Sequence, residues 1–390
     1  MKSAIKNIGL RGVVIASTKI CDVDGANSRL VYRGYLIQDL AMETTFPEVA
    51  YLLIHDKMPD VHELVNFINQ LERNRYLPPN LICAMQTRPV GTPPMDILQA
   101  CVALLAHHDD SLPENSPSLA KNRALGLIAK LPTVVAAWTR IRQKLEPIDP
   151  MPGLSMAENF FYMLTGQEPN KRMAELFDRA LVLHAEHAFN ASTFAAREVA
   201  STRAHMYAAV SAAIGSLSGE LHGGANTRVM EMLKAIGSMD KIRPFVEDKL
   251  GKGELVMGLG HAVYKNGDPR VEILRPMSKE VGEMVGDTCW YEMTQELERV
   301  GKALFMEKKG VEIFPNVDFY SASLYHTMGL PHDLFTPIFA MSRVAGWCAH
   351  VIEEQFADEA HKPVLYRPES EYIGTYCGPE GCTLIPMDKR

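Results

Sequence analysis

Past residue 38, apolar side chains recur at helical spacing, and this pattern constrains the fold more tightly than any other feature of the chain. Leu64, Phe67, Ile68 and Leu71 stand at i, i+3, i+4 and i+7, on one face of an amphipathic helix. Asp60 is placed to cap that helix and Glu63 to reach back to the cap, the pattern of a capping box. Met173, Leu176, Phe177, Ala180, Leu181 and His184 share a second face. Leu297, Val300 and Leu304 share a third, which Gly310 is placed to end. Ile97 to His107 reads as a more apolar helix. Pro113 to Pro117 breaks the chain before a helix around Leu125 to Lys144, and Pro147 to Gly153 reads as a loop. Only residues 9–38 look strand-like. Val13–Ile15 and Leu30–Tyr32 are β-prone, and the turn-rich Asp22–Asn27 lies between them. The expectation is an all-α fold with a few short N-terminal strands. The glycine-rich Ser218–Asn226 and the region after Asp318 are the plausible boundaries of a smaller helical domain inserted into a larger one.

Composition narrows the function classes. The net charge is −7, so no nucleic-acid footprint is expected. No run of about 18 apolar residues is evident, so no membrane span is expected. The first residues, Met1 to Ile8, read as mature protein. The seven cysteines are scattered and odd in number, as in the reduced thiols of a cytoplasm. Cys377 and Cys382 stand close together in a Gly/Pro-rich tail, and two sulfurs do not make a zinc site.

Val256 to Arg270, V-M-G-L-G-H-A-V-Y-K-N-G-D-P-R, concentrates groups that handle ligands. Gly258 and Gly260 free the backbone for φ > 0 or for a close ligand, with His261 directly after them. Asp268-Pro269 is a turn that can open a helix, with Arg270 in its first turn. A binding loop for an acidic small molecule and a purely structural loop both remain open. The missing third glycine excludes a dinucleotide fingerprint.

Four further clusters supply candidate groups. His184 and His187 stand three apart, without a third ligand at a metal-site spacing. His184 continues an apolar face and reads as a satisfied core histidine, and His187 as the ligand contact. His222 precedes Gly223 and Gly224. At a helix start the dipole would keep it neutral and a donor, and a glycine hinge with an incidental histidine is the competing reading. Asp318 lies among apolar and aromatic neighbours, which would make it a stronger base; a helix N-cap role stands beside that. Arg343 lies in an apolar helix, paired either with an acid such as Glu353 or Glu354 or with an anionic ligand. Arg367 lies in the tail. Arginines suit a di- or tricarboxylate. A carboxylate base with neutral histidine donors suits proton abstraction beside a carbonyl.

In order along the chain stand G-L-R-G at Gly9 to Gly12, Y-R-G-Y at Tyr32 to Tyr35, H-A-F-N-A-S-T-F, L-H-G-G-A-N, M-G-L-G-H-A-V-Y-K-N-G-D-P-R, N-V-D-F-Y-S-A and R-V-A-G-W-C-A-H. Over almost its whole length the chain resembles the citrate synthase family. That resemblance implies a large domain, residues 1–224 and 329–390, and a small one, residues 225–328, closing over the site by a hinge. It implies condensation of acetyl-CoA with oxaloacetate and hydrolysis to citrate and CoA, with no cofactor and no metal. His222, His261 and Asp318 match the catalytic groups: enol stabiliser, carbonyl polariser and base. His187, Arg270 and Arg343 match oxaloacetate or citrate contacts. Arg367 matches an arginine given to the partner subunit's site, which implies a homodimer. Leu255, Val256, Met257, Gly258 and Gly260 match the backbone that meets the CoA adenine, and Lys265 and Arg11 match cations for CoA phosphate. Thr227 departs from relatives that often carry an acid there. The short N-terminus resembles simple dimers rather than the larger NADH-inhibited enzymes. The alternatives are a 2-methylcitrate synthase using propionyl-CoA and, in another class, a non-catalytic CoA- or citrate-sensing homologue. One methylene changes discrimination by only about 1–3 kcal/mol. The presence of His222, His261 and Asp318 argues against the sensor.

Overall fold

A computed structural model describes residues 9, 10, 12–357, 365–373 and 386–389. They fall into two compact units, Thr18–Val364 and a terminal one drawn from Met1–Ser17 and Leu365–Arg390. Within the larger unit a three-stranded antiparallel sheet comes first: β1 (Cys21–Asp24), β2 (Arg29–Tyr32) and β3 (Tyr35–Leu36). Then come α1 (Ile37–Glu43), α2 (Phe46–His55), α3 (Val61–Asn74), α4 (Pro79–Gln86), α5 (Pro94–Leu105), α6 (Pro117–Arg142), α7 (Met156–Thr165) and α8 (Lys171–His184). The chain continues through α9 (Ala191–Ser201), α10 (Met206–Leu217), α11 (Ala225–Ile236), α12 (Ile242–Gly251), α13 (Val271–Val285), α14 (Cys289–Lys309), α15 (Val317–Thr327) and α16 (Phe335–Phe356).

The helix signals act as read. Asp60 accepts the Glu63 N–H at 2.8 Å and Glu63 returns to Asp60 N–H at 3.1 Å, closing the capping box of α3. Gly310 ends α14 in the left-handed region. The all-α expectation holds, and all three strands lie within residues 9–38, β2 covering the expected Leu30–Tyr32; the first strand is displaced. β1 occupies Cys21–Asp24, overlapping the stretch Asp22–Asn27 expected to be turn, and Val13–Ile15 is not a strand. Pairing decides this: the register Cys21↔Tyr32 to Asp24↔Arg29 gives β1 a ladder, which β-propensity alone cannot supply.

α16 is the buried spine of the larger unit, packing against α2, α6, α8, α9 and α10. α11 to α15 pack mainly on one another, α13 and α11 against α15 and α12 against α14. α6 is long and apolar enough to cross a bilayer, contrary to the expectation that no stretch is. Its most apolar window is 83% buried within the fold, as in a core helix. Cys21, Cys83, Cys101, Cys289 and Cys348 are free thiols. Cys377 and Cys382 lie outside the described residues, as does Arg11.

Candidate active site

α8 ends at His184, and residues 185–190 lead to α9, which Asn190 caps by accepting the Thr193 N–H at 3.0 Å. His184 is wholly buried as expected, but it is not satisfied: neither ring nitrogen has a partner, and the ring lies against Phe339 and Tyr325. His187 turns the other way, its Nε2 3.1 Å from the Tyr264 hydroxyl. Burial, then Arg270 and Arg343, hold its pKa well below the ordinary histidine value.

His222 sits in the turn between α10 and α11, two residues before the Gly224 cap rather than at the helix start itself. That turn requires glycine at 223, where a Cβ would stand 1.7 Å from the Leu217 carbonyl oxygen. The Ser192 backbone N–H donates to His222 Nε2 at 3.1 Å, so the ring proton resides on Nδ1. Burial, with a smaller push from Arg343, lowers its pKa to about 4. The imidazole is therefore a neutral donor, and burial replaces the helix dipole as the cause.

The 258–260 backbone is strapped to the segment that begins α15. Gly260 N–H donates to Phe314 O at 2.7 Å, Asn316 N–H to Gly258 O at 2.9 Å, and Asn316 Nδ2 to Gly260 O at 3.0 Å. These bonds tie the backbone that leads into His261 to the segment that leads into Asp318. Gly258 has φ +79°, and a Cβ there would lie 2.6 Å from the Phe319 ring. His261 Nδ1 accepts the N–H groups of Val263 at 3.0 Å and Tyr264 at 3.1 Å, which leaves the proton on Nε2. Burial and then Arg270 bring its pKa down to about 4. The His187 and His261 ring centroids are 5.6 Å apart.

Arg270 stands at the N-cap of α13, not in its first turn, and is buried in an ion pair with Asp268. Arg343 is 2% exposed, donates Nε to the His184 carbonyl at 2.7 Å and lies over the Phe339 ring. Glu353 and Glu354 pair instead with Arg197, at 2.8 and 2.6 Å. Among the described residues Arg343 has no carboxylate partner, which favours the anionic-ligand reading. Asp318 lies in the first turn of α15, and the N-cap is Asn316, whose side chain accepts the Asp318 N–H at 3.0 Å. Burial pushes the Asp318 carboxyl up to about 6, with Arg270 pulling the other way. Among the described residues nothing hydrogen-bonds to that carboxylate.

One cavity of about 420 Å³ is lined by His187, His222, His261, Arg270, Asp318 and Arg343. It does not take in Leu255, Val256, Met257, Gly258, Gly260 or Lys265. Of these, Val256 and Gly258 are buried, while Leu255 and Lys265 are exposed. Arg367 is exposed in the terminal unit. Sequence reasoning missed Ser192, Tyr264 and Phe339, although Ser192 and Tyr264 lie inside the quoted motifs. It also read Asp268 only as a turn residue, although an Asp two residues before an arginine is a spacing for pairing.

Two buried guanidiniums, two neutral imidazole donors and an unpaired carboxylate of raised pKa define a site for acid–base chemistry on an anionic substrate. The model of the "Citrate synthase, C-terminal domain" family matches residues 9–369. Citrate synthase 2 of Bacillus subtilis is 41% identical, covering 98% of each chain, and the citrate synthase of Haloferax volcanii is 43% identical with the same coverage. The solved citrate synthase of Pyrobaculum aerophilum superposes with a TM-score of 0.89 at 37% identity, over 98% of this chain and 95% of that one. The Thermoplasma acidophilum enzyme, solved with carboxymethyl coenzyme A and oxaloacetate, superposes with a TM-score of 0.87 at 28% identity, over 98% of each chain. The chain belongs to the citrate synthase family of acyltransferases.

Proposed function

We propose that this enzyme condenses acetyl-CoA with oxaloacetate and hydrolyses the citryl thioester to citrate and CoA. The convergence of His187, His222, His261, Arg270, Asp318 and Arg343 on one cavity carries the reading. Arg270 and Arg343, with His187, grip the oxaloacetate carboxylates. Asp318, made more basic by burial, takes a proton from the thioester methyl group. The enol oxygen that results accepts from His222 Nδ1–H. The enol carbon attacks the oxaloacetate carbonyl, whose oxygen is polarised by His261 Nε2–H and takes that proton as the new C–C bond forms. Water then splits the thioester. A thioester α-proton is too weakly acidic for an aspartate in water, so donors fixed in a water-poor site must lower the barrier.

Leu255 to Gly260 meet the CoA adenine, and Lys265 and Arg11 its phosphates. Residues 225–328 form the small domain that closes over residues 1–224 and 329–390. Two copies associate, Arg367 completing the partner's site, and the enzyme works in the cytoplasm without cofactor or metal. Support for the substrates comes from the Thermoplasma acidophilum complex, whose ligands are carboxymethyl coenzyme A and oxaloacetate. The test is thiol release from acetyl-CoA and from propionyl-CoA in the presence of oxaloacetate. Faster release from acetyl-CoA is expected. A higher kcat/KM with propionyl-CoA would transfer the assignment to 2-methylcitrate synthesis, and no thiol from either would leave a sensor.

A further inference from the structure

A second cavity, of about 430 Å³, opens where α2, α7 and α8 begin beside the face of α3. None of its lining residues is shared with the substrate cavity. Pro47, Ile68, Leu71, Met156 and Ala174 give it an apolar wall, and Arg75, Lys171, Arg172 and Arg179 stand around the remainder.

The acids of this cavity are already engaged. Glu175 and, from α13, Glu280 hold Arg172 at 2.8 and 2.6 Å. Glu158 turns back on its own helix and accepts the Ser155 N–H at 2.8 Å. Asp178 accepts the Phe46 N–H at 2.8 Å, and burial pushes its carboxyl up to about 7. Lys171 and Arg179 pair with no carboxylate among the described residues. Arg75 is more unusual. It is 5% exposed and donates Nη1 to the Leu154 carbonyl at 2.9 Å, while its buried Nε has no partner. No carboxylate forms an ion pair with Arg75 among the described residues, Glu72 acting on it only from a distance; a buried guanidinium so placed is costly, and a bound anion would relieve it. The positive ends of three helices add to the same field. Ser155 and Asn170 accept some of the first-turn N–H groups of α7 and α8, and Asp178 takes the Phe46 N–H of α2, so side chains are the main grips left.

We propose that this cavity is a second ligand site, taking a small organic anion whose acid head meets Arg75, Lys171 and Arg179 and whose apolar body lies on Ile68, Leu71 and Met156. Carboxylate and phosphate heads share this chemistry, and the probes separate them. Hexanoate, hexyl phosphate, hexan-1-ol and inorganic phosphate are titrated calorimetrically into the intact chain, with and without saturating oxaloacetate. One or both amphiphilic anions should bind once per chain, undisturbed by oxaloacetate, and the tighter one identifies the head group. Hexanol and inorganic phosphate should bind more weakly. The Lys171→Ala/Arg179→Ala double variant should weaken anion binding by about tenfold, with its melting temperature kept. Arg75→Met should also weaken binding and, having lost an uncompensated buried charge, should not melt earlier. The proposal fails if neither anion saturates at millimolar concentration, if oxaloacetate displaces them, if hexanol or phosphate binds as tightly, or if the double variant binds unchanged.

Discussion

Arg270 and Asp268 are clamped at two points, Nε to Oδ1 at 2.9 Å and Nη2 to Oδ2 at 2.7 Å, with both side chains buried. Asp268 Oδ2 also accepts the Val317 N–H at 3.2 Å, one residue before Asp318. One aspartate thus fixes a cation and the start of the helix that carries the carboxyl. Arg343, in the same cavity, has no such partner. Removing the partner of Arg270 and removing Arg343 itself should therefore have opposite effects on stability.

Asp268→Asn leaves Arg270 as an uncompensated buried charge, a loss of about 3–5 kcal/mol for breaking such a pair. Urea unfolding should show the midpoint falling accordingly, and oxaloacetate titration should show weakened binding. A change below about 1 kcal/mol would mean that solvent already screens the pair.

Arg343→Met removes a buried guanidinium that no carboxylate pairs with among the described residues, Glu186 acting on it only from a distance. The unliganded variant should be at least as stable as the parent, because the lost charge offsets the lost hydrogen bond to His184 O. Its oxaloacetate affinity should fall about a hundredfold, the equivalent of about 3 kcal/mol for a charge-assisted contact. Lower stability with unchanged affinity would reassign Arg343 to the architecture of α16.

Asp318 should govern the acid limb of activity. Its carboxyl is raised from 3.8 to about 6, chiefly by burial, and a base must be ionised, so kcat/KM should rise as pH passes upward through about 6. His222 and His261, lowered to about 4, are already neutral there and cannot set that limb. The stability effect has the opposite sign. Between 3.8 and about 6 the folded state binds more protons than the unfolded one, so stability falls as pH rises through that window. Asp318→Asn should be inactive and, above pH 6, more stable by about 3 kcal/mol, the difference vanishing below about pH 4. Equal stability across the range would show the carboxyl to be unperturbed.

The candidate site was legible because its groups sit inside compact motifs: His222 before two glycines, His261 after two, Asp318 among aromatics. Their convergence was legible only through the family resemblance, since no local pattern says that Gly260 hydrogen-bonds to Phe314 or that Ser192 orients His222. Helix faces were legible for the same local reason, as in the Asp60–Glu63 box. β1 was not, because Asp22 and Asp24 are poor strand formers that a partner strand nevertheless holds. Nor was the isolation of Arg343, which depends on Arg197, 146 positions earlier in the chain, claiming both glutamates.

The β1–β2 turn gives the sharpest test of how His261 is held. Gly25 O accepts the Lys265 N–H at 3.0 Å, and Ala26 O accepts Asn266 Nδ2 at 2.7 Å, so the turn clasps the loop that follows His261. A Cβ on Gly25 would stand 2.2 Å from the Val263 carbonyl oxygen, and backbone there must shift. Val263 N–H is one of the two donors that keep His261 Nδ1 unprotonated. Gly25→Ala should therefore disturb the tautomer and position of His261 and lower kcat by roughly ten- to a hundredfold, the scale of an ångström misplacement. Melting should change little, because the turn is partly exposed and outside the core. Gly91→Ala, where a Cβ meets open space, is the matched control and should behave as the parent. Nitrogen-detected imidazole spectra would report the His261 tautomer directly. A fully active Gly25→Ala enzyme with an unchanged His261 signal would show that the clasp has no part in positioning the ring.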